Sequence, residues 1–220
     1  MMVAAMLLAV PVTSQPADPL ADAWLVQVKP GAKLAFFDEV EGAKPKPSRA
    51  YVVAGDVLVA RETRGTLTSV TFVSPAGKTR SGWLQSAGLT RIAAGTSWQG
   101  AWKAWESGIE IAAGRVRGTL RIEGSATWGG HDPQRVAIGA VHVGEFSVDT
   151  RSAGDRIAFS VDESGENGNK AAPFDDAPDE EYRCRVQLRL LGPYLLAHDN
   201  NACGGANVSF TGTYRLSTRR

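Results

Sequence analysis

Read from Ala23 onward, apolar and polar side chains alternate with a period of two. Trp24, Val26 and Val28 share one face of a predicted strand, with Leu25, Gln27 and Lys29 on the other. Leu34, Phe36 and Phe37 mark a second strand, followed by a long polar stretch from Glu39 to Arg49 that holds Gly42, Pro45 and Pro47. Tyr51-Val52-Val53 runs into a turn at Ala54-Gly55-Asp56 and out along Val57 to Ala60. Val70 to Val73, a hairpin turn at Pro75-Ala76-Gly77-Lys78, and a return strand into Gly82-Trp83-Leu84 complete this half. No convincing stripe at helical spacing interrupts it.

Ala93-Ala94-Gly95-Thr96-Ser97 breaks the pattern, and residues 93–100 read as a linker. Beyond it the alternation is cleaner. Val116, Gly118, Leu120, Ile122, Gly124 and Ala126 fall on one face, against Arg115, Arg117, Thr119, Arg121, Glu123 and Ser125. Tyr182, Cys184, Val186, Leu188 and Leu190 oppose Arg183, Arg185, Gln187 and Arg189; Val208 to Leu216 alternate likewise. Val136–Val143, Phe146–Val148 and Ile157–Val161 supply further predicted strands. One greasy face and one wet face is the signature of antiparallel sheet. So many strands must close or stack to hide their edges. The expected fold class is all-β: a small barrel over 23–92 and a second antiparallel β-barrel or sandwich over 101–217, lipocalin-like in size but without a lipocalin motif.

The Leu34–Phe37 strand, the long loop, the Tyr51-Val52-Val53-Ala54-Gly55-Asp56 segment and the closing Gly82-Trp83-Leu84 together resemble a bacterial SH3-like domain, over about 23–92. The resemblance implies a small barrel, with roles in cell-wall or protein binding expected from where such domains occur; fold and activity are separable. The stretch from Leu195 to Arg215, with its Asn200-Asn201 and Gly204-Gly205 pairs, resembles the C-terminal segment of a poorly characterised family of exported bacterial proteins. Some of that family accompany domains resembling lysozyme inhibitors. This second resemblance covers about 100–216 and supplies no catalytic residues.

Val3 to Val10 is an apolar run of eight residues, which as a helix rises only ~12 Å, far short of the ~30 Å hydrocarbon core. It reads as the core of a signal peptide spanning 1–14, with small residues at Val12-Thr13-Ser14, so the expected location is periplasmic or secreted without membrane insertion. Cys184 and Cys203 are the only two cysteines, so a disulfide, if formed, has one possible connectivity. In the loop-entropy model such a bridge contributes roughly 3 kcal/mol.

Composition then removes whole classes. With 24 Lys+Arg against 23 Asp+Glu the net charge is +1, which excludes a strongly basic nucleic-acid binder. At 43% hydrophobic and 21% charged, the 220-residue chain is no disordered tail. Nucleophile elbows and phosphate loops are absent, and the three histidines, His131, His142 and His198, lack ligand spacing. The expectation is therefore no catalytic residues, no metal and no cofactor. Acidic runs at Asp162–Asn169 and Asp175–Glu181 read as solvated loops. Arg117, Arg121, Arg185 and Arg189 are candidate binding residues. If their strands were neighbours they would make one basic patch; otherwise they pair with carboxylates across strands. Trp102 and Trp105 are candidates for an aromatic platform, or for a plug in the second barrel. The reading is a non-enzymatic exported protein binding a protein or cell-wall glycan partner, including inhibition of a wall-degrading enzyme. Alternatives are a small-ligand carrier using the second barrel's interior and a carboxylate-based hydrolase.

Overall fold

A computed structural model describes residues 20–38, 46–95, 97–161 and 183–217. The apolar N-terminal run and both acidic runs lie outside the described residues. The described chain forms two antiparallel sheets and one short helix. The first sheet comprises β1 (Trp24–Val28), β2 (Lys33–Phe37), β3 (Pro47–Val53), β4 (Val57–Arg64), β5 (Leu67–Val73), β6 (Thr79–Gln85) and β7 (Leu89–Ile92), in the order β3-β2-β6-β5-β4-β1-β7. Its turns obey their residues. The Val53 amide donates to Asp56 Oδ2 at 2.8 Å while Gly55 takes φ 88°, and Gly77 takes φ 84° in the β5–β6 turn. Val26, Val28, Phe36, Val52, Leu58, Ala60, Val70 and Leu84 fill its core.

The second sheet comprises β8 (Gly100–Lys103), β9 (Ser107–Ala113), β10 (Leu120–Trp128), β11 (His142–Thr150), β12 (Arg156–Val161), β13 (Cys184–Leu191), β14 (Tyr194–Asp199) and β15 (Gly212–Leu216). The order is β11-β10-β9-β8-β15-β14-β13-β12. First and last strands pair through Arg215 and Lys103, so the meander wraps round on itself. Only β11 and β12, consecutive in the chain, meet without a ladder, leaving an eight-stranded barrel nearly closed. The inside is packed. Phe146 lies 4.7 Å from Phe210 and 5.3 Å from Phe159 between ring centroids, and a side chain in place of Gly124 would run into the Phe146 ring. The Tyr214 hydroxyl donates to the Phe210 carbonyl and accepts from Ser107 Oγ, both at 2.8 Å. Burial is the main force holding that phenol neutral, since it raises the pKa well above the ordinary value.

The connection from Asn200 to Thr211 closes the barrel's unladdered side. Cys203, bonded to Cys184 on β13, Val208 and Phe210 all enter the core. The Gly205 amide donates to the Val143 carbonyl on β11 at 3.0 Å, and a Cβ on Gly144 would lie 2.9 Å from the Gly204 Cα. Asn201 and Asn207 take positive φ, whereas Gly204 and Gly205 do not. Buried Asp199 anchors the far end: its Oδ1 accepts from Ser209 Oγ at 2.6 Å, Thr211 Oγ1 at 2.6 Å and the Thr211 amide at 3.0 Å.

Three sequence expectations need correction. Residues 136–141 are not strand, because Asp132 and Pro133 start a helix, α1 (Pro133–Ala137). Asp132 Oδ1 accepts the Gln134 amide at 2.9 Å, and β11 begins only at His142. The last strand begins at Gly212 rather than Val208, since Val208 and Phe210 belong to the plugging connection. Arg115 and Arg117 sit in the β9–β10 connection, not on a strand.

The supposed linker does not separate the two sheets. Trp98 is buried in the barrel core, and its indole nitrogen donates to the Gly154 carbonyl at 3.3 Å. A third core forms where Leu20, Ala23, Leu25, Val59 and Val73 meet Leu191, Tyr194 and Leu196 on the barrel's outside. Arg189 Nη1 donates to the Leu20 carbonyl at 2.8 Å and Arg215 Nη1 to the Val73 carbonyl at 2.9 Å. The Tyr194 hydroxyl donates to the Val57 carbonyl across the same junction.

Burial, partly offset by nearby Arg215, raises the Tyr194 pKa to about 12. A folded pKa above the unfolded value stabilises fully below the unfolded pKa and is lost as pH climbs toward the folded one. Urea unfolding should therefore show wild type losing about 2 kcal/mol more than Tyr194→Phe between roughly pH 9 and pH 11.5. Equal alkaline losses would place the phenol in water. Asp199→Ala leaves buried donors unmatched and should cost roughly 2–4 kcal/mol in the same assay at neutral pH.

Candidate functional site

The outward faces of β9, β10 and β11 form the floor of a groove of about 820 Å³, within the range of ligand sites. Alternation points Ile109, Ile122 and Phe146 inward, so their neighbours Glu110, Glu123 and Glu145 point out. Register then gathers them: Glu123 stands opposite Glu110, and Ser125 opposite Glu145. Gly108 pairs with both Lys103 and Ser125 at an outward position, where the missing side chain deepens the groove. A Cβ there would make only ordinary contacts, at 3.7 Å or more, so depth rather than backbone strain is what this glycine provides.

At one end the β8–β9 turn raises Trp105 and Glu106 beside His131. The Trp105 and His131 rings stack with centroids 4.0 Å apart, and His131 Nε2 lies 2.7 Å from the Trp105 carbonyl. Lys78, reaching over from the β5–β6 turn, holds its ammonium 4.3 Å from the indole centroid. Glu106 Oε1 accepts the Gly129 amide at 3.0 Å. Arg121 Nε binds Glu123 at 3.1 Å and Nη1 binds Asp149 at 3.3 Å. Among the described residues Glu110 and Glu145 make no ion pair, and no three His, Cys, Asp or Glu side chains converge as metal ligands.

The residues singled out from sequence disperse. Trp102 is 1% exposed, its indole nitrogen donating to the Trp98 carbonyl at 3.0 Å, so its ring serves the core; Trp105, 41% exposed, is the aromatic at the groove. Arg121 on β10 and Arg185 and Arg189 on β13 are not on neighbouring strands, since even the short way round the barrel β11 and β12 lie between them, so the adjacent-strand basic patch does not form. Arg189 pairs with Asp155 at 3.0 Å, and Arg117 lies in the exposed β9–β10 connection, where its carbonyl accepts from Arg151. Of these, Arg121 pairs across strands, with Asp149 on β11. Cys184 and Cys203 form the disulfide. The glutamates escaped notice because each stands alone between apolar neighbours, and only strand register brings them together.

Fold and groove define an all-β two-sheet protein with an acidic outer groove and a filled barrel. No family model, curated protein or solved structure matches the chain.

Facing Glu110 and Glu123 repel, and like charges directly opposite destabilise a sheet. Glu110→Gln should raise stability by about 0.2–1 kcal/mol, read as a higher urea midpoint at low salt and a smaller gain at high salt.

Proposed function

We propose that this chain is an exported, non-enzymatic binding protein that engages cell-wall material, or an enzyme that degrades it, through the outer groove of its barrel. The observation that carries the reading is the groove itself: a solvent-facing concavity with exposed Trp105 at its rim and carboxylates along its floor. The apolar N-terminal run and the Cys184–Cys203 disulfide support an oxidising location beyond the inner membrane. No helix among the described residues is long and apolar enough to cross a membrane. The resemblance of 23–92 to SH3-like domains supports a wall- or protein-binding role. A carrier would need the barrel interior, which Phe146, Phe159, Phe210 and Tyr214 fill. The alternative of a carboxylate-based hydrolase rests on the acidic runs Asp162–Asn169 and Asp175–Glu181, which lie outside the described residues.

Purified protein should co-sediment with peptidoglycan or inhibit lysozyme at micromolar concentration. Gly108→Leu, which fills the groove without straining the strand, should weaken that association by at least about tenfold with melting unchanged. Loss of neither activity in Gly108→Leu, or no association at all, would overturn the reading.

A further inference from the structure

We propose that the groove's occupant is a basic protein segment, lysines or arginines interspersed with apolar side chains, and that Lys78 occupies one of its cation positions when the partner is absent. This rests on the groove being the binding site, and it selects a protein partner over the wall glycan.

Charge is the first argument. Four carboxylates line the groove (Glu106, Glu110, Glu123 and Glu145) against one lysine, Lys103; Glu123 is already paired with Arg121, and Glu106, Glu110 and Glu145 make no ion pair among the described residues. They do not converge on a point where a single ion would sit. Glu110 and Glu145 lie two strands apart, roughly 10 Å by inter-strand spacing. Charge spread at that interval matches a ligand whose cations are themselves spread along a chain, and such complementarity steers association.

Trp105 is the second. A sugar ring stacks on an open indole face, but His131 stacks on this ring and the Lys78 ammonium lies over it. Trp105 already serves as a cation–π acceptor. Lys78 comes from a hairpin turn of the other sheet and is exposed, so a partner's ammonium or guanidinium can replace it with the same chemistry. The apolar share of the ligand has a counterpart too. Val143 at the rim is 62% exposed, and Val136 and Ile138, in the segment joining His131 to β11, are 54% and 78% exposed. The opposite side of the barrel, around Tyr194 and Leu196, is covered by the first sheet, which leaves this face open.

The test is fluorescence anisotropy of a short labelled lysine–leucine peptide with the whole protein, beside a glutamate–leucine control. The lysine peptide should bind, weaken with added salt and lose about tenfold or more in affinity in Glu110→Gln/Glu145→Gln. Both positions are exposed strand sites, and a melting curve confirms that the variant folds. Lys78→Gln should tighten binding several-fold, whereas Lys33→Gln, the same charge change elsewhere on the first sheet, should not. Equal binding by the double glutamine variant, or by the glutamate peptide, overturns the proposal; unchanged affinity in Lys78→Gln overturns the place-holding role. Peptidoglycan binding that Gly108→Leu abolishes, with no peptide binding, overturns the basic segment while the groove reading stands. Failure of both assays overturns both.

Discussion

Tyr194 and Leu196 point away from the barrel they belong to, and Leu25, Val59 and Val73 point away from the first sheet; each set is buried only because it meets the other. Apolar side chains on the wet side of two sheets would otherwise be exposed patches. Their mutual burial fixes how the sheets sit, and much follows. The Tyr194 hydroxyl finds its acceptor at Val57, and Arg189 and Arg215 cap carbonyls across the junction. The same docking brings the β5–β6 turn onto the barrel so closely that Gly77 faces the Ala104 backbone with no room for a side chain. That approach delivers Lys78 to Trp105. The rim of the groove is thus assembled from both sheets, although its floor belongs to one.

Closing the barrel is a separate problem with a separate solution. A meander of eight strands that pairs its first with its last, as β8 and β15 do, closes fully only if every consecutive pair also forms a ladder. Here one gap remains, between β11 and β12. The Asn200–Thr211 connection spans it, tied to β13 by the disulfide and to β11 by the Gly205 amide, with Asp199 gathering three donors at its end. The glycines at 144 and 204 are where backbone meets backbone. A segment that reads as a mere turn-rich loop is therefore part of the core.

Strand alternation made the all-β class legible, and two lone cysteines made the disulfide legible, because both signals are local or exhaustive. What alternation could not reveal was a strand buried on both faces. Tyr194-Leu195-Leu196-Ala197 departs from the two-residue period for that reason, as does Leu25, which alternation assigns to solvent. Val136 to Val141 misled in the opposite direction: β-branched residues suggested a strand, but the Asp132-Pro133 cap decided the local structure and left Val136 and Ile138 in water. The arginine patch failed on strand order, and the glutamate groove went unseen on strand register. Neither is written in any single strand.

Position distinguishes the carboxylates of this molecule. Asp199 is buried and takes three hydrogen bonds on one oxygen, which fixes a connection and leaves little for a partner to change. Arg121 occupies Glu123 on its own strand and Asp149 across the ladder, an ordinary arrangement on a wet face. Glu110 and Glu145 differ from both. They face solvent in a concavity, have no cation among the described residues, and in the case of Glu110 stand directly opposite another glutamate. A sheet selected for stability alone would place a lysine or threonine opposite Glu123. Keeping like charges there costs the folded state a little, and a cationic partner reverses that cost on binding. The arrangement is therefore better explained by what the groove receives than by what the barrel requires.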